Sequence, residues 1–126
     1  MSVLVGTSVW IDHFRRGNAG LVELIGLDLV LTHPLVLAEI ACGTPPAPRV
    51  STLANLALLQ RCNQAGLDEV MAFIERERLY GLGCGVVDLA LLASTLITPG
   101  AELWTLDKRL AELADRFGVA HRAFLH

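Results

Sequence analysis

Val3-Leu4-Val5-Gly6-Thr7-Ser8-Val9-Trp10-Ile11-Asp12-His13-Phe14-Arg15 opens the chain and decides its fold class. Residues 3–5 form a short apolar, β-branched run that stops at Gly6-Thr7, which reads as a buried strand. Thr7 or Ser8 then caps a helix to about Arg16, and Gly17-Asn18 ends it. The same order returns near the other end, in Leu103-Trp104-Thr105-Leu106-Asp107-Lys108-Arg109-Leu110. There a strand over 102–105 leads into a helix over 107–117.

Working outward, a helix is predicted over 19–27 and a strand over 29–32. Pro34 starts a helix over 35–42, at a position proline tolerates. The run Gly43-Thr44-Pro45-Pro46-Ala47-Pro48 is a stiff connection, too short for a domain linker. Helices are expected over 50–62, 67–80 and 86–97, a loop over 81–85, and a last short strand over 119–122. Strands alternating with helices imply a parallel sheet covered on both faces. Ligands of such sheets bind beyond the carboxyl ends of the strands, where Gly6 and Asp107 stand.

The length of 126 residues argues for one domain. Hydrophobic residues make up 53% of the chain, with 11 Gly besides, above the roughly 45–50% usual for that set. Disorder is excluded, and some apolar surface is left for a partner. A net charge of −3 carries no basic footprint for nucleic acid held by charge alone. Cys42, Cys62 and Cys84 are odd in number and make no CxxC pair, so buried thiols in a reducing compartment are expected. His13, His33, His121 and His126 have no paired-ligand spacing. With no basic leader and no apolar run long enough to span a bilayer, the reading is a cytoplasmic protein without membrane association.

Three carboxylates stand out. Glu39 is the one charged residue between Pro34 and Cys42, in a nearly all-apolar helix. It either faces water, pairs with an arginine, or binds a metal. Asp88 sits in the first turn of the apolar run Gly85-Val86-Val87-Asp88-Leu89-Ala90-Leu91-Leu92-Ala93, where the helix dipole favours an anion. Asp107 is placed to cap a helix, and capping leaves a carboxylate with further lone pairs. Were the three to converge, repulsion of about 4 kcal/mol per pair at ~4 Å would call for a cation. All-oxygen ligands favour Mg²⁺ or Mn²⁺, which suits hydrolysis of a phosphodiester.

Together these segments resemble the PIN-domain ribonucleases, in particular the VapC toxins of VapBC toxin–antitoxin pairs. The opening strand and helix, Leu37-Ala38-Glu39-Ile40, Gly85-Val86-Val87-Asp88 with Leu91-Leu92-Ala93, and 103–110 match the family's four motifs in order and spacing, over essentially the whole chain. The resemblance implies a three-layer α/β/α sandwich with a short central parallel sheet. It implies Mg²⁺- or Mn²⁺-dependent endonucleolytic cleavage of RNA of the transfer or ribosomal class. It assigns metal-holding and catalytic roles to Glu39, Asp88 and Asp107, and supporting hydroxyls to Thr7 and Thr105. It also implies homodimers and a VapB-type antitoxin whose peptide covers the catalytic groove.

One position departs from the pattern: the family carries an Asp immediately before Thr-Ser, and this chain has Gly6. The change removes a charge and two ligand oxygens. It reflects either selection or design against a lethal activity, or a naturally weakened nuclease. Either way, cleavage is expected to be impaired while fold and antitoxin binding persist. The alternative reading is a catalytically inactive PIN-like protein that sequesters antitoxin or RNA. A phosphatase or receiver domain lacks its nucleophilic Asp motif here, and residues 81–85 do not make GxGxxG.

Other features have plainer expected roles. Asp12 is expected on an exposed helix face. Arg15, Arg16, Lys108, Arg109 and Arg122 are candidates for RNA phosphates that are more often simply solvated. Trp10 and Trp104 are expected in the core or an interface rather than stacked on bases. The charged stretch 69–78 reads as a solvated helix face with i,i+3 and i,i+4 pairs.

Overall fold

The computed structural model describes residues 1–122; of the four histidines, His126 falls outside them. In chain order the elements are β1 (Ser2–Val5), α1 (Thr7–Arg16), α2 (Ala19–Gly26), β2 (Val30–Thr32), α3 (Pro34–Cys42), α4 (Arg49–Ala57), β3 (Gln60–Arg61), α5 (Leu67–Glu77), α6 (Val86–Leu96), β4 (Ala101–Trp104) and α7 (Lys108–Arg116). The strands form one parallel sheet in the order β3-β2-β1-β4. Helices cover both faces, giving the expected three-layer α/β/α sandwich. One set packs α1 on α3 and α3 on α4, and another packs α5 on α6 and α6 on α7 and β4.

The central strand explains why the opening run is so apolar. Val3, Leu4 and Val5 are fully buried, as a parallel strand covered on both faces requires. β1 aligns with β4 from Ser2 opposite Ala101 to Val5 opposite Trp104. In α6 every residue from Leu89 to Thr95 is buried, so Asp88 heads the most enclosed helix of the fold. Both tryptophans are core residues, Trp10 at 3% and Trp104 at 6% exposure.

Four expectations need correction. The helix expected over 50–62 ends at Ala57, and Gln60–Arg61 forms an edge strand beside β2. Both its residues are exposed, so no apolar alternation marks it in the sequence. The strand expected over 119–122 is a single bridge from Ala120 to Leu103. It is tied by hydrogen bonds from Leu103 N–H to Val119 O (2.7 Å) and from His121 N–H to Leu103 O (2.9 Å). Gly6, not Thr7 or Ser8, is the N-cap of α1, with no side-chain capping bond. The cysteines are all free thiols, but only Cys62 is buried; Cys42 is exposed and Cys84 half-buried.

Candidate active site

Chain order creates the site. The chain steps from β1 to β2 to β3, then crosses back to place β4 on the other side of β1. Such a reversal opens a crevice between the carboxyl ends of β1 and β4. Gly6 leaves β1 on one side of it and Thr105 leaves β4 on the other. They are locked together by the Gly6 N–H donating to Trp104 O at 2.8 Å.

Gly6 has φ −72° and ψ 162°, an extended conformation open to any residue. No positive φ accounts for a glycine here. A Cβ at this position would meet Trp104 O at 3.1 Å and Thr105 Cβ at 3.7 Å. A side chain therefore fits if the Trp104 carbonyl gives by a few tenths of an ångström, and it would run alongside Thr105.

Hydroxyl groups knit the two sides of the crevice. Thr7 Oγ1 donates to Glu39 Oε1 at 2.6 Å, so the Thr7 hydroxyl ties the start of α1 to α3, while the cap of α1 is unfilled because Gly6 has no side chain. Ser8 Oγ accepts the Leu106 N–H at 2.9 Å and lies 3.3 Å from Thr105 Oγ1. Thr105 Oγ1 in turn accepts the Asp107 N–H at 3.1 Å. Asp107 Oδ1 caps α7 by accepting the Leu110 N–H at 2.9 Å. Sequence reading treated Ser8 only as a possible cap. Its true partners lie almost a hundred residues away, which no local spacing reveals.

Asp88 feels the charges of the other two acids. Burial pushes the Asp88 carboxyl above its ordinary value, the Asp107 charge pushes it further, and Glu39 adds to the effect; a backbone hydrogen bond at Gly85 opposes them. The neighbouring Cys84 thiol is likewise raised by burial and by Asp88 and Asp107, while Arg109 pulls it down. The charges of Asp107, Glu39 and Arg109 thus reach the start of α6, where Cys84 and Asp88 stand, and make an acidic mouth there. The all-oxygen donors suit Mg²⁺ or Mn²⁺ in kind. Their placement does not: among the described residues no three His, Cys, Asp or Glu side chains converge closely enough to hold a metal ion. Gly6 at the end of β1 contributes no side-chain oxygen, and one Glu39 oxygen, Oε1, accepts from Thr7.

A groove of about 370 Å³ leads away from this mouth along α1 and the loop after α3. Ile11, Phe14, Ile40 and Pro45 give it an apolar floor, and Arg15 and Glu39 charge its wall. The remaining sequence candidates lie elsewhere. Asp12 is half-buried and accepts from Arg16 Nε (2.6 Å) and Asn18 Nδ2 (3.2 Å); the Arg16 guanidinium holds its carboxyl below the usual range. Arg122 pairs with Asp115 at 2.6 Å on the surface.

No protein-family model matches the chain. Two curated proteins do, each called Ribonuclease VapC32, from Mycobacterium tuberculosis strains CDC 1551 / Oshkosh and H37Rv. Each is 46% identical over 118 residues, which is 94% of this chain and 94% of the relative. No helix among the described residues is long and apolar enough to cross a membrane. With that identity running nearly end to end over a parallel-sheet α/β/α sandwich, the chain belongs to the VapC family of PIN-domain ribonucleases.

Proposed function

We propose that this chain is the toxin of a type II toxin–antitoxin pair, an endoribonuclease of the VapC kind whose cleavage is impaired by Gly6. The observation that carries this reading is the β1–β4 crevice. We assign Asp88, Asp107 and Glu39 to it, and a side chain at position 6, whose φ suits any residue, would enter it if the Trp104 carbonyl gave by a few tenths of an ångström. The cofactor class is Mg²⁺ or Mn²⁺. Among the described residues no three such donors converge, and position 6 supplies no carboxylate to join them. Glu39, Asp88 and Asp107 are the acids we assign to the catalytic and metal-holding roles, with Thr7 and Thr105 in support.

The substrate is RNA of the transfer or ribosomal class, and the compartment is the cytoplasm. The apolar groove between α1 and the loop after α3 is suited to a peptide segment of a VapB-type antitoxin, and it ends at Glu39. A homodimer is the assembly we expect, with exposed apolar side chains such as Val22, Leu27 and Leu58 available to interfaces. Gly6 equally favours a second reading, a binding protein without catalysis that holds antitoxin or RNA.

The test compares this chain with Gly6→Asp on total cellular RNA, with Mg²⁺ and with excess chelator. Cleavage by Gly6→Asp alone, abolished by chelator, supports the impaired nuclease. Equal cleavage by both forms refutes the role assigned to Gly6. Absence of cleavage in both, with antitoxin peptide still bound, favours the binding protein.

A further inference from the structure

Arg109 stands in the first turn of α7, two residues past Asp107. Its side chain does not extend freely into water. It lies across the 81–85 loop, so closely that a Cβ on Gly83 would stand 2.5 Å from Arg109 Nη1, 2.8 Å from Cδ and 2.9 Å from Cζ. Gly83 also has φ +87°, which side chains rarely adopt. The glycine is therefore needed twice, for its backbone angle and for the space it leaves. The loop's other glycines, Gly81 and Gly85, have nothing within 4 Å of a would-be Cβ. The seat is particular to Gly83 and Arg109.

The guanidinium so seated has no ion-pair partner among the described residues. It lies between Asp107, the N-cap of its own helix, and the loop that leads through Gly85 into the first turn of α6, where Asp88 stands, which puts it on the rim of the acidic mouth. A mouth lined by carboxylates on a chain of net charge −3 repels a polyanion. A cation held at the rim offsets that repulsion for an RNA strand docking there. An arginine fork matches phosphate oxygens bidentately. Seating the side chain beforehand reduces the ordering cost of binding. The adjacent Lys108 is exposed and no comparable seat holds it.

We propose that Arg109, seated on Gly83, binds a backbone phosphate of the single-stranded RNA segment that enters the β1–β4 crevice. This rests on the ribonuclease reading above and adds the residue that brings phosphate to the acids. The experiment is fluorescence anisotropy of a labelled single-stranded RNA oligonucleotide, in chelator so that nothing is cut, at a series of salt concentrations. Parent, Arg109→Ala, Gly83→Ala, the double variant and Lys108→Ala are compared.

Arg109→Ala is expected to weaken binding about tenfold, as loss of one charge-assisted pair does. It should also lower the slope of log affinity against log salt by about 0.7, the value for one phosphate of a single strand. Gly83→Ala should weaken binding to a similar degree, and the double variant should be no weaker than Arg109→Ala. Lys108→Ala should have the smallest effect. If the parent binds RNA while Arg109→Ala keeps its affinity and slope, the inference is overturned and the ribonuclease reading survives. If the parent itself binds no RNA, both fall. Arg109 is exposed, so its variant folds and decides the matter even if Gly83→Ala does not.

Discussion

Acid should loosen the helix that carries Glu39, through His33. This histidine is 4% exposed and is the N-cap of α3, its Nδ1 accepting the Leu35 N–H at 3.0 Å. That nitrogen can accept only while it is unprotonated, so the neutral ring carries its hydrogen on Nε2, which has no partner. Burial, and then the Arg61 charge on β3, holds His33 below its ordinary value. The unfolded chain therefore binds the proton more readily than the folded one. The stability is complete above the unfolded value of about 6.5 and is lost as pH falls below it. Each pH unit of that window costs at most about 1.4 kcal/mol, so the limit between about pH 6.5 and 5 is about 2 kcal/mol. Loss of an N-cap alone costs about 1 kcal/mol. At about 4 °C per kcal/mol for a chain of this size, Tm should drop by about 4–8 °C over the window. Thermal unfolding followed by circular dichroism across pH checks this against His33→Asn, which keeps a capping oxygen but cannot titrate. His33→Asn should lack that part of the slope, whatever its absolute Tm. Parallel curves for the two proteins would refute the reasoning.

Other substitutions probe the same frame. Leu92→Ala, at a fully buried position of α6, should cost about 2–5 kcal/mol, read as a lower urea midpoint with unchanged slope. Thr7→Val removes the hydroxyl donor to Glu39 and should cost about 0.5–1.5 kcal/mol; no change in the urea midpoint would mean that this bond does not form in solution. Asp107→Asn should speed alkylation of Cys84, because it removes one of the charges that hold that thiol up. Cys62, pushed up to about 11 by burial, should stay unmodified in both proteins, as peptide mass spectrometry can verify.

What was legible in the sequence was whatever lies close along the chain. The run Val3-Leu4-Val5 declares a doubly covered strand because each residue must be apolar, and the structure buries all three. Asp107 declares a cap because its carboxylate reaches a backbone N–H three residues on. Gly6 stood out because the motif around it is otherwise complete. What could not be read depends on pairings set by the tertiary fold. β3 is two exposed polar residues that become a strand only because β2 offers an open edge. Thr7 reads as a cap, but Gly6 takes that position and the Thr7 hydroxyl donates instead to Glu39, 32 residues away. Nor does anything near Gly83 in the chain announce that Arg109 will lie across it.

The central claim is that the crevice between β1 and β4 lacks, at position 6, a carboxylate that a metal site there needs. Titration calorimetry with Mn²⁺ on this chain and on Gly6→Asp tests it without depending on RNA. A carboxylate added across a cation at ~4 Å is worth up to about 4 kcal/mol before its desolvation is deducted. The account therefore predicts weak or undetectable binding to this chain and at least roughly tenfold tighter binding to Gly6→Asp. Equal Mn²⁺ affinity in the two proteins would contradict it.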